Sequence, residues 1–337
     1  MGVRARLLFT ASLAAALGIA STAAFAWGPD GHRMIGELAV KGLPSDLPAF
    51  LRSNAAAKEI GYLAPEADRE RGAGETFDSE HSPAHFVDVS DDLTILGGPK
   101  LDALPQTRAE YDTALRAAGS DQYKAGYLPY SIVDGFQLLA KDLAYWRVDV
   151  AGEKLGKTKA ERAWYARDRV EREKIALHDL GIWAHFVGDG SMPLHASVHY
   201  NGWGDFPNPE GFTQEHVHVP FENEYVHNNV TEAAVAAAMP TPRVCSEAVL
   251  ACTEAYLAAT QTEVVPFYKL EKSGAFAKPT PEGEDFAAQR IAVGAAELRD
   301  LIVAAWQESD AQSVGYTPVK VSDVEAGKAD PYTELTY

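Results

Sequence analysis

The sequence predicts an all-α fold, a single mainly helical bundle-like domain with long loops over one end, on three observations. Apolar residues recur at three- and four-residue steps: Phe136, Leu139, Leu143 and Trp146 in one stretch, Ile291, Ala295, Leu298 and Ile302 in another. Alternating strand patterns are scarce. At 337 residues, 46% hydrophobic and 23% charged, the chain can bury a substantial core, with no internal repeat or low-complexity tract.

In chain order, residues 1–26 read as a signal peptide. Arg4 and Arg6 precede the apolar run LLFTASLAAALGIA, and Ala24-Phe25-Ala26 supplies the small-x-small pattern of a cleavage site. The run is short for a membrane span, and an uncleaved anchor is the alternative. Cleavage after Ala26 predicts an exported protein, periplasmic or secreted, that starts at Trp27. Residues 27–337 then form one catalytic domain.

Irregular segments are expected over Ala64–Asp92, Gly97–Pro105 and Gly202–Gly211, and around Pro240–Pro242 and Pro279–Pro281. The tail, residues 314–337, is polar and reads as irregular. Two cysteines, Cys245 and Cys252, allow at most one internal disulfide. On a continuous helix their Cα atoms would stand about 10 Å apart, so pairing requires a break between them.

The formal charge is −18; without the leader's two arginines, 28 basic residues face 48 acidic ones, giving −20. This disfavours a broad electrostatic grip on nucleic acid or an anionic bilayer. A local cationic centre supplied by bound metal remains compatible with it.

Chemistry concentrates in AHFVGDGSMPLH, residues 184–195. His185 and Asp189 lie four apart and share a helix face; Pro193 is expected to end that helix and swing His195 back. Alone, such a pair is more often a hydrogen-bonded core pair than a metal site. His218 and Glu222 repeat the spacing at an expected helix start, where Pro220 is tolerated because first-turn amides need no intrahelical acceptor. Imidazole and carboxylate are common zinc ligands, and a second pair makes coincidence less credible. Upstream lie Asp68-Arg69-Glu70-Arg71 and His85-Phe86-Val87-Asp88. At the start of the mature chain, Trp27 and His32 would chelate a metal if the Gly-Pro turn folds back.

The ordered set WGPDGH, DRER, HFVD, HFVGD with PLH, and HVPFENEYV resembles the zinc-dependent phospholipase C and single-strand-specific nuclease superfamily, helical exported enzymes with a three-zinc site. The matching pieces span Trp27 to Val226. The resemblance implies that Asp68, His85, His185 and Asp189 hold one zinc. Trp27, through its amine and carbonyl, and His32 hold a second, bridged by Asp189. His195, His218 and Glu222 hold the third. Asp78 lies nearer to His85 in sequence than Asp68, but Asp68 with Arg71 resembles the nuclease D-x-x-R arrangement. The span from His85 to His185 is long for the family, so residues 93–130 read as a possible insertion that reshapes the cleft.

The implied reaction is phosphodiester hydrolysis by metal-activated hydroxide. Asp68 would orient the water, and Arg71, held by Asp88, would stabilise the transition state. Phe86 is the candidate to stack a base of a single-stranded nucleic acid or nucleotide. D-x-x-R and HFVD resemble the nuclease branch, a single-strand-specific nuclease or 3′-nucleotidase. Glu222 within FENEYV resembles the phospholipase branch, whose substrate would be a phosphatidylcholine-like headgroup. A zinc-binding protein without turnover and a plain helical structural protein are the alternatives from other classes. No obligate protein partner is evident.

Overall fold

A computed structural model describes residues 27–336. It is 64% helical with 3% strand, as the sequence predicts. The signal-peptide assignment lies outside the described residues.

The first half runs α1 (Gly28–Lys41), α2 (Asn54–Leu63), α3 (Glu66–Arg69), α4 (Glu75–His81), a 3-10 turn (Ser82–His85), α5 (Arg108–Ala117) and α6 (Gln122–Ala125). The region expected to be irregular over Ala64–Asp92 therefore holds two short helices and the turn. Four to seven residues are too few to display a helical period. Residues 93–130 comprise a looped strap, α5, α6 and the first residues of the next helix.

The frame is a hairpin of α7 (Leu128–Leu155) and α8 (Lys159–Asp189). Residues 156–158 join them, a connection so short that the two must run antiparallel. Thr158 and Glu161 form a capping box that starts α8. The helices approach closely because Gly135 faces Trp183: a Cβ there would lie 2.0 Å from the indole. Trp183 donates from Nε1 to the Ile132 carbonyl, 2.9 Å away.

After a second 3-10 turn (Pro193–His195) and a wider π-type turn (Pro220–Tyr225) come α9 (Val226–Asn229), α10 (Glu232–Ala238), α11 (Val249–Gln261), α12 (Val264–Ser273) and α13 (Pro281–Ala311). α13 packs on α7 and α1, and α1 on α2. Phe136, Leu139 and Leu143 are buried, as are Ile291, Ala295, Leu298 and Ile302. Cys245 and Cys252 form a disulfide with Cα atoms 6.1 Å apart. The required break exists, because Cys245 precedes α11.

The tail is not irregular, contrary to expectation. β1 (Ser313–Val314) pairs antiparallel with β2 (Val319–Lys320), followed by α14 (Val321–Glu325) and α15 (Tyr332–Leu335). Val314, Val321 and Val324 form a small second core with Val148 of α7 and Tyr165 of α8, whose hydroxyl donates to Asp330. Three buried valines in a polar segment leave almost no periodic signal.

The hairpin also buries acids against acids. On α7, Asp142 and Asp149 are two turns apart; burial and the neighbouring carboxylates, Asp179 and Asp168 respectively, push them up to about 7 and about 8. Both values lie above that of an unfolded aspartate, so the folded state holds the extra protons. Stability is then greatest in acid and falls as pH rises from about 4 to about 8, by up to about 1.4 kcal/mol per pH unit per group. In thermal melts at pH 5 to 9, Asp149→Asn is expected to gain on the wild type as pH rises. A difference in Tm independent of pH would contradict this account.

Candidate metal centre

The sequence-predicted ligands from five separate segments converge at the end of α8. That helix stops at Asp189, with Gly190 as its cap. Pro193 does not end it, as expected from sequence, but opens the following 3-10 turn that presents His195. His185 and Asp189 sit one turn apart on the buried face, both fully buried.

Three buried groups can hold metal ions: Asp68 with His85 and His185, His32 with His185 and Asp189, and His195 with His218 and Glu222. In the first, Asp189 adds a fourth donor atom beside the two histidines. His85 Nδ1 lies 3.1 Å from Asp189 Oδ2, and His185 Nε2 lies 3.4 Å from the same oxygen. The two imidazole nitrogens are 2.9 Å apart, and Asp68 Oδ1 stands 3.9 Å from His85 and 3.7 Å from His185. Tetrahedral zinc with bonds of about 2.0–2.1 Å has ligand–ligand edges of about 3.3–3.4 Å. The separations here bracket that value.

Asp189 divides its carboxylate. Oδ2 faces His85 and His185, whereas Oδ1 faces His32 Nε2 at 3.4 Å. This is the geometry of a bridge between two adjacent centres. His32 stacks on His185, ring centroids 3.9 Å apart. Trp27, fully buried, anchors the start of α1 through its indole Nε1, which reaches the Gly188 carbonyl and Ser191 Oγ at 2.9 Å each. Its carbonyl accepts from Gly31 N as the first helical bond. The expected amine ligand depends on cleavage after Ala26, outside the described residues.

In the third group, Glu222 places Oε2 2.9 Å from His218 Nε2 and Oε1 3.5 Å from His195 Nε2. The wider π-type turn still keeps His218 and Glu222 on one side.

Two backbone carbonyls set the tautomers. His185 Nδ1 donates to Ala64 O at 2.8 Å, and His195 Nδ1 donates to His85 O, so both Nε2 lone pairs point into the cluster. Asp68 Oδ1, Asp189 Oδ1, both Glu222 oxygens and Nε2 of His195 and His218 are buried without a hydrogen-bond partner among the described residues. Buried polar atoms are normally paired, and so many converging acceptors fit a cation.

Electrostatics agree. Burial pushes Asp189 well above the usual carboxylate range, with Asp68 adding to it, and raises Asp68 to about 7. Burial and neighbouring cations hold His85 and His185 far below an ordinary imidazole, so both stay neutral. At Glu222 burial is outweighed by His218 and His195, which hold it at about 2.

A cavity of about 560 Å³ opens onto His195 and His218. Arg71, Phe86 and Asp88 line it, as the sequence implied, and so does Asp78. Between the two candidate acids, Asp68 joins the cluster, whereas Asp78 accepts from Gly72 N. Arg71 Nε stands 3.4 Å from Asp68 Oδ1, an ion pair that the sequence does not predict. Burial raises Asp88 to about 8. Lys124, Ser82 and Tyr200 also line the cavity. Lys124 was missed, because an isolated lysine in a helical turn carries no sequence signal.

No protein-family model, curated protein or solved structure matches this chain.

Proposed function

We propose that the protein is an exported zinc-dependent phosphodiester hydrolase, of the phospholipase C and single-strand nuclease type, acting on single-stranded nucleic acid or nucleotides. The observation that carries this reading is Asp189, whose two oxygens face different histidine sets beside a cavity that contains an arginine. An imidazole-rich, oxygen-completed donor set with tetrahedral edges suits zinc. Three ions are proposed, held by Asp68, His85, His185 and Asp189; by Trp27, His32 and Asp189; and by His195, His218 and Glu222.

Bound there, the ions supply Lewis acidity: they make water nucleophilic at neutral pH and neutralise charge developing on phosphorus and the leaving oxygen. The chain's own groups do the rest. Arg71 offers a planar fork of donors to the phosphate oxygens, and its pairing with Asp68 aims it. Asp68 touches both the cluster and Arg71, which places a proton acceptor beside the reacting phosphate. Half-buried Phe86 presents a face on which a base can stack.

A phospholipase C reading remains as the second, favoured by Glu222 within FENEYV. The test is hydrolysis of bis-p-nitrophenyl phosphate before and after chelation, with metal content verified. Turnover is expected to disappear with the metal and to return on zinc addition; undiminished turnover in metal-free protein would sink the proposal. Single-stranded DNA, RNA, a 3′-nucleotide and phosphatidylcholine, assayed in parallel, separate the two branches.

A further inference from the structure

Lys124 reaches the cavity from the segment between His85 and α7, and the backbone there leaves it little freedom. Asp121 Oδ1 caps α6 by accepting from Tyr123 N and Lys124 N, both at 3.0 Å. Asp88 N donates to Ala125 O at 2.8 Å, and Leu128 N to Phe86 O at 3.1 Å. The turn is thus sewn to the HFVD segment. Gly126 makes the closeness possible: its φ is +74°, and a Cβ there would stand 2.1 Å from the Phe86 carbonyl. Tyr111 locks the same residue by donating to Gly126 O at 2.7 Å. Lys124 is therefore presented at the cavity rim by a braced turn, while its side chain is 72% exposed.

Charge gives this position meaning. Outside the metal ligands, the basic and acidic side chains that line the cavity are Arg71, Lys124, Asp78 and Asp88. Burial keeps Asp88 protonated at neutral pH, and Asp78 is engaged by the Gly72 amide. The only ion pair the lysine makes among the described residues is with Asp121, at 3.5 Å, and an exposed pair of that kind is weak. A chain of net charge −18 thus puts an arginine and a second cation at one cleft.

We infer that Lys124 binds an anionic group adjoining the scissile phosphodiester, so that the cleft takes a strand of consecutive phosphates in preference to a zwitterionic headgroup. The inference rests on the phosphodiesterase reading. A single diester is already served by the metal centre and Arg71. A second cation outside them gains nothing from an isolated phosphate and gains directly from a neighbouring one. It repels the ammonium end of a choline headgroup.

The test compares metal-loaded wild type, Lys124→Gln and Lys124→Arg, with Lys159→Gln as a charge control at the far end of α8. Binding of a hydrolysis-resistant phosphorothioate oligothymidylate is measured from 50 to 200 mM salt. The slope of log affinity against log salt is expected to fall by about 0.7 in Lys124→Gln, one phosphate contact on a single strand. The ratio of kcat/KM for oligothymidylate to that for bis-p-nitrophenyl phosphate is expected to drop roughly fivefold. Lys124→Arg restores both, and Lys159→Gln changes neither. An unchanged slope and ratio would overturn the inference, as would an equal loss on dibutyryl phosphatidylcholine. If wild type fails to hydrolyse bis-p-nitrophenyl phosphate, the phosphodiesterase reading falls, while the binding arm still decides on Lys124.

Discussion

Asp189→Asn is expected to lose two of three metal equivalents and to lower hydrolysis of bis-p-nitrophenyl phosphate on the order of a thousandfold. The substitution preserves shape and removes one negative charge and one acceptor oxygen. Because Oδ1 faces His32 and Oδ2 faces His85 and His185, the loss falls on two centres at once. Glu222→Gln gives the contrast. Among the described residues its carboxylate pairs with His195 and His218, so that variant should lose one equivalent and retain the other two. Elemental analysis of the two purified variants, alongside the rate, separates a bridge from an ordinary ligand. Equal metal content in both would exclude Asp189 as the bridge. So would a single lost equivalent in Asp189→Asn.

Spacing made the two His–acid pairs legible, and the ordered motifs of the resemblance supplied the other candidate ligands. His185 and Asp189 must share a face wherever α8 is helical, and His218 and Glu222 follow the same step. What orients them was not legible. The Ala64 and His85 carbonyls fix two imidazole tautomers, and every residue carries a carbonyl, so neither leaves a trace in the sequence. The third dimension also decided between Asp68 and Asp78, which sequence proximity to His85 ranks the wrong way. In the fold, long amphipathic helices declared themselves, but α3, α4 and the C-terminal hairpin are too short to show a period. Lys124 combines both difficulties: a short turn placed it, and backbone bonds to Phe86 and Asp88 aimed it.

Removing the metal should cost the fold as well as the activity. Chelation is expected to lower Tm by roughly 10 °C or more. Binding at a thousandfold above Kd contributes about 4 kcal/mol per site, and a domain of this size shifts by about 2 °C or more per kcal/mol. The structural reason is that Asp189 and Glu222 are buried with oxygens facing histidines of the cluster, and Asp68 shares Oδ1 between two of those histidines and Arg71. Without a cation, protons must take its place on Asp68 and Asp189. Burial has already raised Asp68 to about 7 and Asp189 well above its ordinary value, so the metal-free chain holds protons on these carboxylates to a higher pH than free aspartates would. A metal entering the Asp189-bridged pair must displace them, and its apparent affinity rises with pH through 7. The sign is testable: the Tm gap between loaded and stripped protein should widen from pH 6 to pH 8, with protons released on zinc addition. Glu222, held at about 2, contributes no proton to that release. Glu222→Gln should therefore leave the proton count on zinc addition nearly intact, whereas Asp189→Asn should cut it. A gap that narrows over the same interval would mean that these carboxylates are ionised without metal, and that something other than a cation compensates them.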